Sequence, residues 1–419
     1  MTLIGFYGDD FTGSVDALLQ YRRAGLDGVL VTSPQFAPAA ATDQVVGIAG
    51  IARSLPTDRL ADEVLPALTA LARLGPRVVQ YKACSTADSS PETGSLGRAI
   101  ELGRQVYGNH PVGVLLAQPD FGRYTAFGNH FARDGETVYR LDRHPTMRQH
   151  PVTPSREADL ARHLGGQTCL TVASLPFVDF LADGAEAEAL LACDAEVVVL
   201  DGLTDEHLRW AGRAVLGQPQ PTVFALGSGG LSRGVGLAVT GRGRELAGAV
   251  EPADGPVLVV SGSRSASTWA QVGDAVGRGW QPVDVLSERD AAAVAARAFA
   301  TGRSLVAYSS APGGPLEPDG VKVARRLVEV VEAVAAKGPI TRLVVAGGDT
   351  CGRVLTLLGV QRIELLAAPW GNAAFCRIAA PHTAVDGIGV VLKGGQMGSV
   401  DLFERIRTGT PLASRLPRD

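Results

Sequence analysis

The 419-residue sequence predicts an α/β fold of two doubly wound domains, each with a mainly parallel sheet covered by helices, and an interdomain cleft. Three observations carry this expectation. Short apolar runs alternate with longer amphipathic segments along nearly the whole chain, the rhythm of βαβ units. A Pro- and Gly-rich stretch, Gly248–Pro256, interrupts that rhythm once. The 51 glycines cluster just after several of the apolar runs, where a ligand-facing loop needs close backbone approach.

Taken in order, Leu3–Tyr7 reads as a buried strand and Val15–Arg23 as a helix. Val45–Ala52 is a second strand, and Pro56–Arg73 carries Leu60, Val64, Leu68 and Leu71 at helical spacing. Further strands are expected at Val78–Tyr81, Val112–Ala117, Thr168–Val172, Val197–Leu200 and Val223–Leu226. Beyond the expected hinge, strands fall at Val257–Val260, Ser304–Tyr308, Leu343–Ala346 and Val390–Lys393, with helices at Ser267–Val276, Asp319–Lys337 and Gly352–Leu358. The domains are therefore placed at residues 1–250 and 251–419, with a loose tail over the last ten or so residues.

Composition narrows the function. Hydrophobic residues make up 46% and charged residues 20%, ordinary for a globular chain. A net charge of −4, from 39 basic and 43 acidic residues, provides no electrostatic footprint for nucleic acid or an anionic membrane. The five cysteines are scattered and form no CxxC pair, which argues for reduced thiols in a cytoplasmic protein and against structural zinc. No basic leader or long apolar span is present in the sequence, so neither a signal peptide nor a membrane helix is expected.

In doubly wound sheets, ligands sit outside the carboxyl ends of the strands, so the residues that follow each strand were weighed for chemistry. Gly8-Asp9-Asp10-Phe11-Thr12-Gly13-Ser14 sets two carboxylates before a helix start. They can accept hydrogen bonds from a substrate hydroxyl, or its proton, while helix N–H groups hold an anion. Capping alone would explain one such side chain, but not two acids between two glycines. Tyr81-Lys82-Ala83-Cys84-Ser85-Thr86-Ala87-Asp88 ends a strand in a lysine suited to a carboxylate or phosphate, followed by hydroxyl groups; a solvated turn fits this composition equally well.

Three loops of the second half share one design. Ser261-Gly262-Ser263, Gly347-Gly348-Asp349-Thr350 and Lys393-Gly394-Gly395 each follow a strand, and together they could line one nucleotide pocket. No Walker A sequence occurs. Gly227-Ser228-Gly229-Gly230 lacks the spacing of a dinucleotide fingerprint and reads as structural. Arg143 and His144 lie in a basic loop around Pro145–Gln149 that could face substrate, bridge domains or simply be solvated; no metal-ligand spacing supports a metal site there.

These residues resemble, in order, the motifs of the four-carbon acid sugar kinase family. Asp9–Ser14 is similar to the family's DDxTGA/S opening, Ser261–Ser263 to its SGS turn, Gly347–Thr350 to its GG[ED]T loop, and Lys393–Gly398 to its KSGNFG loop. The resemblance spans residues 5 to 400. It implies an N-terminal acid-sugar-binding domain, a C-terminal ATP-binding domain, and use of ATP with Mg²⁺ to phosphorylate threonate, erythronate or oxo-tetronate-like acids. By position, it assigns Asp9, Asp10, Lys82, Ser85 and Thr86 to the acid sugar; Asp9 or Asp10 is then the expected catalytic group, with Thr12, Arg143 and His144 as further substrate candidates. Ser261, Ser263, Gly347, Gly348, Asp349, Thr350, Lys393, Gly394 and Gly395 fall to ATP.

Two departures stand in the substrate loop, where Cys84 replaces an expected Asp and Asp88 an expected Arg. Such a change implies a different acid, branched or oxo, of the kind that 3-oxo-isoapionate exemplifies. An NAD(P)-dependent oxidoreductase of sugar acids and a non-enzymatic sugar-acid sensor are the alternatives. The sequence does not separate Asp9 from Asp10 as the base. Homo-oligomers are common among such enzymes, but no interface signal is legible.

Overall fold

The computed structural model describes residues 2–180, 184–244, 246, 250–309, 317 and 319–412, together with the backbone but not the side chain of Asp349. The chain divides into two compact units, Met1–Glu245 and Leu246–Asp419. Part of the expected hinge (Gly248, Ala249) and residues 413–419 of the expected tail lie outside the described residues. No helix among the described residues is long and apolar enough to cross a membrane.

The first unit is built on eight strands: β1 (Ile4–Gly8), β2 (Gly28–Val31), β3 (Val45–Ala49), β4 (Val78–Lys82), β5 (Val112–Leu115), β9 (Val172–Leu175), β10 (Val197–Leu200) and β11 (Val223–Gly227). They order as β2-β3-β1-β4-β11-β5-β10-β9, and every pairing is parallel. The inner strands are buried on both faces, which is why they read as continuous Val- and Ile-rich runs. Helices α1 (Phe11–Arg23), α2 (Leu60–Ala72), α3 (Leu96–Tyr107), α4 (Leu160–Gly165), α5 (Glu186–Ala192), α6 (Asp205–Leu216) and α7 (Gly229–Thr240) make the crossovers. Leu60, Val64, Leu68 and Leu71 on α2 are fully buried in the core shared with Tyr7, Tyr81 and Leu226. A small antiparallel sheet of β6 (Arg123–Ala126), β7 (Asn129–Asp134) and β8 (Thr137–Arg140) was not expected from the sequence.

The second unit orders its strands as β13-β14-β12-β15-β18-β17-β16. Here β12 (Leu258–Ser261), β13 (Gln281–Asp284), β14 (Leu305–Tyr308), β15 (Arg342–Ala346) and β18 (Gly389–Lys393) are parallel, while β16 (Arg362–Trp370) and β17 (Ala373–Ala379) close the sheet as an antiparallel hairpin. Helices α8 (Ala266–Gly277), α9 (Ala291–Ala300), α10 (Gly320–Ala335), α11 (Gly348–Leu357) and α12 (Leu402–Thr408) complete it. One strand expectation is corrected. Thr168–Val172 is not a strand; β9 runs over Val172–Leu175, where its backbone pairs with Val197–Leu200.

In each unit the chain reverses strand order beside its first strand. β1 lies between β3 and β4, and β12 lies between β14 and β15. The loops after these strands therefore splay apart and leave a crevice at the carboxyl edge. Both candidate sites fall there.

Candidate active site

Register brings the first site together. Gly8 pairs with Ala49 on one side and Lys82 on the other, so the residues following β1, β3 and β4 emerge at one level. The Asp10 backbone is extended (φ −146°, ψ 162°), and its carboxylate accepts from Gly13 N–H at 3.0 Å, which starts α1 at Phe11. Thr12 Oγ1 donates to the other Asp10 oxygen at 2.8 Å. Helix capping, one of the readings open from the sequence, thus holds for Asp10 but accounts for only part of what it does.

The remainder comes from a residue the sequence reading missed. Arg53 follows β3 in a short 3₁₀ turn, Ala52–Ser54, and its guanidinium spans both acids. Nη2 lies 2.7 Å from Asp9 Oδ1 and 2.7 Å from Asp10 Oδ1, while Nε donates to Asp9 Oδ2 at 3.3 Å. Asp9 is buried, with its N–H on the Lys82 carbonyl and its carbonyl accepting from Arg53 N–H. Lys82 is buried as well. Its Nζ donates to the Ala83 carbonyl at 2.9 Å and stands 3.8 Å from Asp16 Oδ2. Glycine at position 13 leaves the needed space: a Cβ there would come within 3.0 Å of Lys82 Nζ and 2.2 Å of Asp10 Oδ1. A lone arginine four residues past a strand end was the available signal. Its meaning depends on β3 lying beside β1, which the sequence does not state.

The two acids differ electrically. Burial raises the Asp9 pKa, Asp10 adds to the rise, and Arg53 offsets only part of it. Burial acts upward on Asp10 too, but Arg53, Lys82, Thr12 and Gly13 outweigh it and hold this carboxyl below the usual range. Asp10 is also the more accessible of the two, at 13% side-chain exposure against 1% for Asp9.

The Cys84–Ser89 loop follows β4 and is held from two sides. His130 Nε2 donates to the Ser85 carbonyl at 2.7 Å while its Nδ1 accepts from Thr125 Oγ1 at 2.9 Å. Ser89 Oγ donates to the Ala87 carbonyl and meets His163 Nε2 at 2.9 Å. Between these anchors Ala87 takes a positive φ of 54°. Thr86 Oγ1 donates to Asp88 at 2.7 Å and stands 3.0 Å from Cys84 Sγ. Burial, followed by the Asp88 charge, pushes the Cys84 thiol up to about 11 against the pull of Arg53, so position 84 is neutral where an acid would carry charge.

Arg143 and His144 are not hydrogen-bonded to this cluster. They follow β8 in the 3₁₀ turn Leu141–Arg143, and the His144 Nδ1 accepts from the Thr146 and Met147 N–H groups, shaping its own loop. A Cβ on Gly230 would sit 1.8 Å from the Ala117 carbonyl oxygen, and one on Gly229 would sit 2.4 Å from Asp16 Oδ2, so packing requires glycine at both.

In the second unit Ser261, Ala346 and Lys393 stand level at the ends of adjacent strands, so the three Gly- and Ser-rich loops converge. Ser263 N–H donates to Ser261 Oγ at 3.3 Å. Gly347 has φ +115°, and a Cβ on it would crowd Thr350 Oγ1 at 2.9 Å and Ser263 N at 3.2 Å. Gly347 caps α11 with no side-chain hydrogen bond, leaving the first-turn N–H groups of Gly348, Asp349 and Thr350 for an anion. The Gly395 carbonyl is gripped by Ser265 Oγ and by Thr268 Oγ1 at 2.7 Å. Lys393 departs from the expectation that its charge would line the pocket. It is fully buried, and its Nζ donates to Thr268 Oγ1 at 2.7 Å, so it supports the loop from beneath.

Comparison with known proteins bears on both sites. Residues 4–235 match the sugar-binding N-terminal domain family, and residues 258–403 match the nucleotide-binding C-terminal domain family. The chain is 38% identical to the 3-oxo-isoapionate kinase of Paraburkholderia graminis, over 97% of this chain and 94% of that one. The chain belongs to the four-carbon acid sugar kinase family. Within this family it is also 31% identical to the 3-oxo-tetronate kinase of Methylobacterium radiotolerans, over 96% of this chain and 98% of that one. Crystal structures of proteins from Salmonella typhimurium LT2 (24% identity, 97% and 98% coverage, TM-score 0.76) and Haemophilus influenzae (22% identity, 97% and 100% coverage, TM-score 0.72) share the fold.

Proposed function

We propose that this protein is an ATP-dependent kinase that phosphorylates a hydroxyl of a small oxo or branched sugar acid, of the class to which 3-oxo-isoapionate and 3-oxo-tetronate belong. The observation that carries the reading is the Arg53-bridged pair of Asp9 and Asp10 at a helix start beside Lys82. It offers carboxylate acceptors for a hydroxyl and cationic donors for an acid group in one place. The family relationship supports it, as does the uncapped helix start among three glycine-rich loops in the second unit, which suits phosphate oxygens.

Phosphoryl transfer relies on positioning and charge neutralisation, and proton removal from the attacking hydroxyl is a minor part of the barrier. Reach therefore matters more than basicity, and it favours Asp10 as the carboxylate that accepts the substrate hydroxyl. Asp9 then anchors Arg53 from beneath. Lys82 and Arg53 offset the substrate carboxylate, with Thr12, Ser85 and Thr86 available to its hydroxyls. Ser263, Gly347–Thr350, Gly394 and Gly395 hold the phosphates of ATP. Mg²⁺ would enter with the phosphates held by Ser263, Gly347–Thr350, Gly394 and Gly395, and would supply neutralisation of their charge. The cytoplasm, where ATP and reduced thiols coexist, is the matching compartment.

The test is ADP release with Mg-ATP against 3-oxo-isoapionate, 3-oxo-tetronate, threonate and erythronate. Turnover on an oxo or branched acid, well above that on threonate, is the expected result. Absence of turnover on all four would overturn the assignment.

A further inference from the structure

Lys393 is among the largest fully buried side chains of the protein. Beyond the bond to Thr268 Oγ1, its Nζ reaches, among the described residues, only the Gly395 carbonyl, at 3.5 Å. Among the described residues, the elements packed around it present little charge. α8 contributes the Thr268 hydroxyl. α11 contributes the Cys351 thiol, whose Sγ lies 3.8 Å from the Lys393 carbonyl oxygen and whose charge, if formed, would favour the ammonium. The loop after β18 contributes a carbonyl, and Asp401 at its far end is paired with Arg405 at 2.9 Å. No carboxylate among the described residues pairs with Lys393. An unpaired ammonium in a protein interior is costly, and such groups are retained where something balances them.

We infer that Lys393 is a buried counter-charge for the anionic ligand of this junction, acting through Thr268 and Gly395 instead of touching the ligand. This rests on the reading of the second unit as nucleotide-binding. Burial has pushed the Lys393 ammonium down to about 8. Near that pH the empty protein is only partly protonated at Nζ. An arriving phosphate group favours the charged form, so binding transfers a proton from the buffer to Nζ, at most one for each nucleotide bound. Well below that pH the site is already charged and binding takes up none.

The experiment is calorimetric titration of the full chain with ADP at about pH 8, in two buffers of different ionisation enthalpy, repeated at about pH 6.5. The inference expects a buffer-dependent heat showing fractional proton uptake at the higher pH and none at the lower. ADP affinity should fall as pH rises through about 8. Lys393→Met should bind ADP at least ~10-fold more weakly and show no uptake, while Cys351→Ala should keep it. If Lys393→Met does not fold, the wild-type titration still decides. Tight ADP binding with buffer-independent heat at the higher pH overturns the role of Lys393 alone. No ADP binding at either pH overturns the nucleotide reading beneath it.

Discussion

Arg53 Nη2 donates to Asp10 Oδ1 at 2.7 Å, and that same oxygen caps helix α1. One atom therefore ties the start of a helix to the charge balance of the candidate active site. Arg53→Ala would leave the buried Asp9 facing the partly buried Asp10, with no guanidinium between them and Lys82 as the remaining nearby cation. The expected cost is about 3–5 kcal/mol of stability, together with loss of activity. Arg53→Lys retains a charge but not the fork that spans both acids, so it should fold while losing much of kcat/KM. Denaturant melts of both variants alongside ADP-release kinetics would check this.

Asp10→Asn is a cleaner probe of chemistry. Asparagine caps helices about as well as aspartate, so α1 should keep its start and the melting temperature should move little. The substrate hydroxyl loses the acceptor that aligns it, and kcat should fall by roughly 10²-fold. Asp9→Asn should act first on stability and on Arg53. Full turnover by the Asp10 variant would remove this residue from its proposed role.

His130 provides a pH test. Burial holds its pKa down, to about 4 against an ordinary 6.5, and outweighs the Ser85 carbonyl, which accepts from Nε2 and acts upward. The unfolded chain then binds the proton more readily than the folded one between these values. This contribution to stability is complete above 6.5 and is lost as pH falls toward 4, amounting to ~3 kcal/mol. Urea unfolding at points across that window should show the slope, and His130→Gln should flatten it.

Gly347→Ala addresses the nucleotide side. At φ +115° the new methyl would be strained and would press on Thr350 Oγ1 and Ser263 N. The expected result is a rise in KM for ATP of at least ~10-fold, with KM for the sugar acid unchanged, since the distortion is confined to the second unit. Steady-state kinetics with each substrate varied in turn would separate the two.

Much of this was legible in the sequence because it is local. A buried parallel strand such as Val197–Leu200 is an apolar run whatever its neighbours, and loops rich in glycine after such runs mark themselves. What was hidden depends on pairing. Arg53 matters because β3 lies beside β1. Lys393 sits at a strand end like Lys82 and carries the same charge, yet it turns into the protein to meet Thr268, a partner 125 residues away. The strands β6–β8 escaped because Arg123–Ala126 and Asn129–Asp134 are half polar, packed on one face only. Leu170 drew the β9 expectation too early, where the pattern was apolar but the ladder had not begun.

The Gly395 carbonyl oxygen receives donors from Ser265, Thr268 and Lys393. A peptide unit held so heavily on one side cannot rotate without abandoning all three bonds at once. On the proposed assignment of this loop to ATP, an incoming nucleotide would meet a fixed template. Capture at this wall should run as a single kinetic phase, without a slow rearrangement step, and discrimination among nucleotides should come from shape at first encounter.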